Sequence, residues 1–397
     1  MKNSTLSLYL EINNLNYIFF AGERDEQNNF KTVYKLELPL EGINNNKILN
    51  LEKISDIIKN NVYIIEQQLN FTFKEIILIL ENFNPTFINL SGYKKLNGSQ
   101  ILKENITYIL NILKSCVQDA ESNKTVLHIF NSKFKLDNKK LENLPIGLFG
   151  DFYSHELSFI LINSNEHVNL KNIFDKSNLK IKKILIKSYI NGVKIINENK
   201  QTDTFFHIKL NENDTKIFYF EKSSLKFEQS FNFGSGIIIK DISNITSLSS
   251  AKIKKILNNI KLLDYTSEDE LIEKTFFNKF DYKKIKKKLI YEIALARIKE
   301  ISQIILFKNI NFLHYIKVSN RIFLEIDDKL QFKCLKELYK KNFSLNGNYN
   351  INFINISSDS MLNTADKLVY FGWKKEAIPI INSQKSFIAA LFDRLFG

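Results

Sequence analysis

Few residues in this chain have types and spacing that could do chemistry. The two cysteines, Cys116 and Cys334, lie far apart in the sequence, which indicates neither a disulfide framework nor a metal site and fits a reducing compartment. The five histidines show no ligand spacing, and we expect structural roles for them. They are His128, His155, His167, His207 and His314. No catalytic constellation follows from these residues.

The nearest candidate for a phosphate-binding loop is Phe233-Gly-Ser-Gly236. Two glycines allow a tight turn and a close approach of backbone amides to an anion. The chain has only 12 glycines, and it contains neither a GxGxxG nor a GKS/T sequence. By itself, the loop is therefore a weak indication of nucleotide binding.

The segment 386–397 has the spacing of an amphipathic helix, with its large apolar residues within roughly half the circumference. At about 1.5 Å per residue it is about 18 Å long, too short to cross a hydrocarbon core of ~30 Å. We predict that it lies in a membrane interface, apolar face down. The alternative is an ordinary last helix packed on the core. The predicted membrane-binding residues are Phe387, Ile388, Leu391, Phe392, Leu395 and Phe396.

A single copy of this helix would be a weak anchor. Each large apolar side chain contributes about 1.5 kcal/mol when mostly buried, and ordering the backbone costs roughly 1 kcal/mol per residue. The net free energy is small, so firm attachment needs many copies acting together. We therefore expect the body of the protein to self-associate.

Composition limits the class of protein. The chain has 397 residues, of which 44% are hydrophobic, enough for two domains or more. The net charge of +13 suits nucleic acid or an anionic membrane surface equally well. The aromatic residues sit mostly at core spacing, so we expect no nucleic-acid partner. The start of the chain does not resemble a signal peptide and no run of about 18 apolar residues occurs, so we expect a cytosolic body.

The secondary-structure pattern repeats in two halves. Strands predicted at Ser7–Glu11 and Tyr17–Ala21 are joined by a short polar turn, and Thr204–Leu210 and Lys216–Glu221 repeat this layout. Ile76–Leu80 is a continuous apolar run, typical of a strand buried on both faces. The predicted arrangement is a first half at 1–92 and 167–200, an inserted subdomain at 93–166, a second half at 201–263 and 321–375, a helical subdomain at 264–320, a linker at 376–385 and the terminal helix at 386–397.

Four segments in this order resemble FtsA, the bacterial actin-like cell-division family. Leu10-Glu-Ile12 with Ala21-Gly-Glu23 resembles the family's opening strands, and Asn143-Leu-Pro-Ile-Gly-Leu-Phe-Gly150 resembles a segment of its inserted subdomain. Ala365-Asp-Lys-Leu-Val-Tyr-Phe-Gly372 is similar to the helix that closes its second half, and the terminal helix matches its membrane-targeting helix. The resemblance implies an α/β, actin-like (ribonuclease H-like) two-domain ATPase fold with an FtsA-type insert and a C-terminal amphipathic helix.

The nucleotide motifs of that family are degraded here. Its first phosphate loop has Gly-Thr where this chain has Asn13-Asn14, and its second, Asp-Ile-Gly-Gly-Gly-Thr-x-Asp, aligns with 209–216, which begins and ends with lysine. Its Thr-Gly-Gly adenosine motif aligns with 325–327. ATP and Mg²⁺ are therefore implied by the resemblance only, and we predict weak or no ATP binding and no hydrolysis. The degraded positions are Asn13, Asn14, Lys209, Asn211, Asn213, Lys216, Gly234, Gly236, Glu325 and Asp327.

The resemblance implies an adaptor rather than an enzyme. Such a protein polymerises on the cytoplasmic face of the inner membrane at the division site, where it holds the C-terminal peptide of FtsZ and meets other division proteins. Arg297 and Glu300 resemble the family's peptide-facing residues, and an acidic, apolar peptide suits a charge-assisted contact. A solvated helix face is the alternative interpretation of this pair.

Two other classes of protein remain open. One is another actin-like scaffold, such as the type used in pilus assembly, and the other is a nucleotide-binding ATPase of the actin superfamily. The terminal helix favours the division adaptor over the pilus scaffold, and the lysines at 209 and 216 disfavour the ATPase.

Overall fold

The computed structural model describes residues 6–44, 46–81, 83–259, 270–277, 282–327, 332–344 and 349–377. The predicted terminal helix, its six apolar residues and positions 378–385 of the predicted linker lie outside the described residues.

Strands and helices alternate along the chain. In chain order the strands are β1 (Ser7–Ile12), β2 (Asn16–Arg24), β3 (Phe30–Pro39), β4 (Ile43–Asn44), β5 (Lys47–Ile48), β6 (Glu75–Leu80), β7 (Thr86–Lys95), β8 (Lys124–Leu136), β9 (Lys139–Leu141), β10 (Phe152–Asn163), β11 (Lys180–Ile186), β12 (Phe205–Leu210), β13 (Thr215–Glu221), β14 (Ser224–Phe231), β15 (Arg321–Ile326) and β16 (Asn350–Ile354). The helices are α1 (Leu51–Leu69), α2 (Lys103–Ala120), α3 (Ser164–Lys176), α4 (Lys187–Glu198), α5 (Gly236–Thr246), α6 (Ser250–Asn259), α7 (Lys287–Ser302), α8 (Ile310–Tyr315), α9 (Lys333–Ser344) and α10 (Ser358–Tyr370).

These elements form two units. Among the described residues, unit 1 holds 6–203, 221–226 and 356–377, and unit 2 holds 204–220 and 227–355.

The main sheet of unit 1 has the strand order β11-β6-β1-β2-β3. β1 runs parallel to β6, and β6 runs parallel to β11, whereas β1, β2 and β3 are antiparallel neighbours. Residues Ile76–Leu80 of β6 are all buried, which confirms the strand buried on both faces that the apolar run predicted.

The inserted part of unit 1 is a second, antiparallel sheet with the order β7-β10-β8-β9. α2 covers it with a stripe at helical spacing, Ile109, Leu110, Leu113 and Val117. β7 pairs with β10 over its whole length and crosses the predicted boundary at residue 93. The pairing of β7 therefore starts the insert at about residue 86.

The sheet of unit 2 has the order β14-β13-β12-β15-β16, with β12, β15 and β16 parallel and the hairpin β12–β13 antiparallel. The two main sheets therefore share one layout: three antiparallel strands in chain order, followed by two parallel additions beside the first strand. The repeat predicted from the strand-turn-strand pattern is present.

The last helix, α10, lies in unit 1, whereas the prediction from sequence placed residues 321–375 in the second half. The reason is the fully buried carboxylate of Asp366. It accepts a 2.7 Å hydrogen bond from the hydroxyl of Tyr9 on β1 and a 2.6 Å bond from Nε of Arg24 on β2. A buried carboxylate requires such partners, and they fix α10 to the first sheet.

After α10, residues 373–377 form a strap that pairs with an edge of β8. The N–H of Asn131 donates to the carbonyl of Lys375, and the N–H of Ala377 donates to the carbonyl of Ile129, both at 2.7 Å. The indole N–H of Trp373 donates to the carbonyl of Ser223. The predicted linker, 376–385, therefore begins with two residues that are paired to β8.

Glu376 holds the strap electrostatically. Its carboxylate lies 3.1 Å from Nζ of Lys183 and 3.6 Å from Nδ1 of His128. Burial, the largest effect on each group, lowers the pKa of His128, so this ring stays neutral near pH 7. Burial would raise the pKa of Glu376, but the contacts to His128 and Lys183 outweigh it and lower that pKa from 4.5 to about 2.

We expect Glu376→Gln to lower the free energy of unfolding by about 2–3 kcal/mol near neutral pH. A carboxylate with a depressed pKa stabilises the folded state fully above its unfolded-state value of 4.5, and this contribution is lost as the pH falls toward 2. The difference between wild type and variant should therefore shrink on acidification. Urea unfolding of both proteins at about pH 7, 5 and 3 measures it.

Glu75→Gln is the matched control, because Glu75 pairs with Lys182, the neighbour of Lys183 on β11, but 46% of the Glu75 side chain is exposed. Exposed pairs contribute about 0–1 kcal/mol. Equal losses for the two variants, or a loss at Glu376 that does not change with pH, would contradict the role assigned to Glu376.

Candidate functional site

Three charged side chains meet where the parallel strands of unit 1 end. Glu11 is near the end of β1, Glu81 follows β6, and Lys187 follows β11 as the first residue of α4. Nζ of Lys187 lies 2.7 Å from Oε1 of Glu11 and 2.9 Å from Oε2 of Glu81. The carboxyl edge of parallel strands is where open α/β sheets bind ligands. In this protein an ammonium joins two carboxylates at that edge.

The neighbouring β1–β2 turn is closed by an asparagine. The side-chain oxygen of Asn13 accepts hydrogen bonds from the N–H groups of Leu15 at 2.9 Å and Asn16 at 2.8 Å. These amides are therefore already bonded within the turn. Asn14 follows Asn13 in the same turn, so both predicted residues help to form it.

A cavity of about 260 Å³ lies beside this turn. Its described lining residues carry no charge to meet a polyphosphate. They are Ile12, Asn13, Asn14, Leu40, Ile43, Asn44, Asn46 and Phe83.

In unit 2 the two glycines of the 233–236 loop pack against the β12–β13 turn. The N–H of Ser235 donates to the carbonyl of Asn211, and the N–H of Gly236 donates to the carbonyl of Glu212, both at 2.9 Å. A Cβ on Gly234 would lie 2.2 Å from the carbonyl oxygen of Asn211. The glycines therefore permit contact with the chain's own turn, and the amides that begin α5 are bonded to it.

The turn itself is fixed by asparagine and aspartate. Asn211 donates from its backbone N–H to the carbonyl of Asp214 and from Nδ2 to the carboxylate of Asp214, both at 2.9 Å. Asn213 lies between them in the turn. Asx side chains stabilise such turns without glycine.

The predicted charged positions of unit 2 lie together at this end of its sheet. Lys209 and Lys216 are cross-strand partners on β12 and β13, and Lys209 is also in register with Glu325 on β15. Nζ of Lys216 lies 3.8 Å from Glu228, and Glu325 lies 2.9 Å from Nε2 of the buried His207. The N–H of Asp327, just after β15, donates to the carbonyl of Leu210.

Arg297 and Glu300, the predicted peptide-binding residues, contact each other on α7. The guanidinium of Arg297 donates from Nη1 to Glu300 and from Nε to Asp241 on α5, each at 2.5 Å. Two carboxylates thus compensate the charge of Arg297, and its ion pair with Asp241 joins α5 to α7. The structure gives Arg297 a packing role that the sequence did not indicate.

Beside these two helices, unit 2 has a groove of about 510 Å³ that sequence reasoning missed. Apolar and basic side chains alternate along it, and Ile245 on α5 is 59% exposed. The signal in the sequence was the lysine run 283–288 interrupted by the buried Ile285. The lining residues are Ile245, Thr246, Lys283, Lys284, Ile285, Lys286, Lys288, Leu289 and Glu292.

The described residues contain neither a metal-binding cluster nor a membrane-spanning helix. No group of three or more His, Cys, Asp or Glu among them is placed to hold a metal ion. None of the helices that the structure describes has the length and hydropathy needed to cross a bilayer.

Comparisons with known proteins give two distant relatives and a fold. No family model matches the chain. It is 22% identical to the cell division protein FtsA of Buchnera aphidicola subsp. Schizaphis graminum over 308 residues, 77% of this chain and 73% of the relative. It is also 22% identical to the cell division protein FtsA of subsp. Acyrthosiphon pisum over 255 residues, 64% of this chain and 60% of the relative.

Among solved structures, a PilM-PilN type IV pilus biogenesis complex matches with a TM-score of 0.52 and 8% identity, over 91% of this chain and 95% of that chain. At this identity the match concerns the fold alone. Together with the two sheets of shared strand order, it confirms the predicted actin-like fold.

The residues of this chain do not fit the ATP and Mg²⁺ that the fold family implies. In unit 1 the carboxylates of Glu11 and Glu81 are both bonded to the ammonium of Lys187. In unit 2 the amides of Ser235 and Gly236 are bonded to the chain's own turn. Also in unit 2, the cross-strand partners Lys209 and Lys216 bring ammonium groups, rather than carboxylates suited to a metal ion, to this end of the sheet.

We expect calorimetric titration of the whole protein with ATP and Mg²⁺ to give no saturable heat beyond that of MgCl₂ alone. The reason is that the amides and carboxylates suited to phosphate and metal are occupied by internal partners. A saturable signal at micromolar affinity would overturn this expectation.

Proposed function

We propose that this chain is a cell-division scaffold of the FtsA type, without ATPase activity, that holds FtsZ at the membrane. The proposal rests on the matches to two FtsA proteins. The longer of the two matches covers 77% of this chain. The proposed site of action is the cytoplasmic face of the inner membrane at the division septum. The proposed partners are FtsZ, membrane lipids, further copies of this chain and other division proteins.

The strap supports the membrane role of the segment that follows it. Because residues 375–377 pair with β8, the segment that follows them in the sequence starts from a fixed point on the inserted sheet. About twenty residues follow, enough for a short tether and the amphipathic helix at 386–397. A helix that binds a bilayer weakly by itself would act collectively once many copies assemble side by side.

The groove of unit 2 supports the FtsZ role. An acidic peptide with apolar anchors would meet lysines for its carboxylates and the exposed Ile245 and Leu289 for its apolar side chains. We assign the peptide to this groove, with the ion pair between Arg297 and Asp241 holding α7 against α5 beside it.

A pilus-assembly scaffold remains the second candidate, because the PilM-PilN complex shares the fold. That likeness carries no information on partners. The amphipathic pattern at 386–397 favours the division adaptor, because such a segment suits direct attachment to a bilayer.

Flotation with phospholipid vesicles tests the membrane role. Full-length protein, at a concentration that permits assembly, should float with the vesicles, whereas a chain that ends at Lys385 should stay in the dense fractions. Phe392→Glu should reduce flotation strongly, because it places a charge on the apolar face, and the matched polar-face variant Ser386→Glu should not. Equal flotation of the full and shortened chains would remove the tether.

Binding of the FtsZ C-terminal peptide tests the groove. Lys284→Glu reverses a charge on an exposed lining residue and should weaken binding roughly tenfold, measured by fluorescence anisotropy with the whole protein. Lys317→Glu makes the same change of charge on an exposed lysine outside the groove and should leave the affinity unchanged. Equal affinities of both variants and wild type would place the peptide elsewhere.

A further inference from the structure

We propose that Lys187 is a built-in cation, which balances Glu11 and Glu81 at the carboxyl edge of unit 1 as a bound divalent ion would. The charges of the two carboxylates are therefore balanced without a metal ion or a nucleotide. This inference does not rest on the proposed function, since it concerns the charge balance of unit 1 alone.

The first support is geometric. Both carboxylates contact one nitrogen atom at hydrogen-bond distance, so their oxygens lie at most about 6 Å apart. The Glu11 side chain is 3% exposed and that of Glu81 is 15% exposed. Two carboxylates this close and this buried repel each other, and a cation that contacts both offsets this repulsion.

The second support is the position of the lysine in its helix. Lys187 is the first residue of α4, where the helix dipole is positive and a cation is unfavourable. The residue before it, Ile186, offers no side-chain cap. A lysine that opposes the local preference of its helix needs a compensating interaction, and the two carboxylates provide it.

The third support is that the side chain of Lys187 is charged. Burial, the largest effect, would lower the pKa of Lys187, but Glu81 and Glu11 raise it well above its usual value. The ammonium therefore remains charged throughout the physiological range.

The cluster also reaches the neighbouring turn. Nδ2 of Asn13 donates to Oε1 of Glu11, and the N–H of Glu81 donates to the carbonyl of Ile12. The tethered ammonium thus holds the ends of β1, β6 and β11 and the start of the β1–β2 turn together. In open α/β sheets, this carboxyl edge of the strands is where an external ligand binds.

The test replaces the tethered cation with a free one. In metal-free buffer, Lys187→Ala should lower the Tm of the whole protein by at least about 6 °C, because it removes the ammonium that both buried carboxylates contact. Millimolar Mg²⁺ or Ca²⁺ should restore at least half of this loss, because the two carboxylates then form a divalent-cation site. The Tm of wild type should not respond to either ion.

Lys194→Ala is the matched control, since Lys194 lies on the same helix but pairs with the exposed Glu198. It should show no response of Tm to divalent ions. The charge-free triple variant Glu11→Gln, Glu81→Gln, Lys187→Met should fold with a Tm above that of Lys187→Ala and be equally insensitive to the ions.

If Lys187→Ala gives no folded protein in metal-free buffer, its refolding with and without Mg²⁺ or Ca²⁺ provides the measurement. Recovery of folded protein only with the ions supports the built-in cation. A Lys187→Ala protein that none of these ions restabilises, or that is no less stable than Lys194→Ala, would overturn it.

Discussion

Unit 1 is assembled around buried charges, each of which requires a counter-charge from a distant part of the chain. An unpaired buried ion costs several kcal/mol, so the elements that carry the two partners must meet. Glu11 and Glu81 meet Lys187 from α4, and Asp366 of α10 meets Arg24 of β2. The pairs join segments that lie far apart in sequence, and they determine which helix covers which strand.

On the inserted sheet, Asn131 of β8 likewise joins segments that lie far apart in the sequence. The N–H of Asn131 binds the strap, its carbonyl accepts from Oγ of Ser224, and its side chain bonds the buried His155. Close by, Lys226, 2% exposed, pairs with Glu156 of β10. One short stretch of β8 thus fixes both the 221–226 turn and residues 375–377 of the strap. The position of the strap is a consequence of packing in the inserted sheet.

The sequence allowed the repeated sheets, the buried strand β6 and the inserted module to be predicted, because each depends on local periodicity. The place of α10 and the pairing of the strap were missed. Both depend on single long-range contacts, Asp366 with Arg24 and Glu376 with Lys183, that leave no periodic signal. At the site, Gly234 and Gly236 were predicted as the nearest candidate for a phosphate-binding loop, and only the structure shows that they pack against the chain's own turn.

When ion pairs and hydrogen bonds within the chain take the place of a bound ligand, the protein can no longer be regulated by the concentration of that ligand. A protein stabilised by a ligand responds to the concentration of that ligand, because binding adds free energy to the folded state alone. An ammonium tethered at Lys187 and amides bonded to residues 211–212 contribute the same free energy at every nucleotide concentration. In the proposed scaffold, control comes from association, through the local concentration of copies and partners at a surface. The amphipathic helix predicted at 386–397 would fit this mode of control, because the attachment of a weak anchor rises steeply with the number of copies assembled.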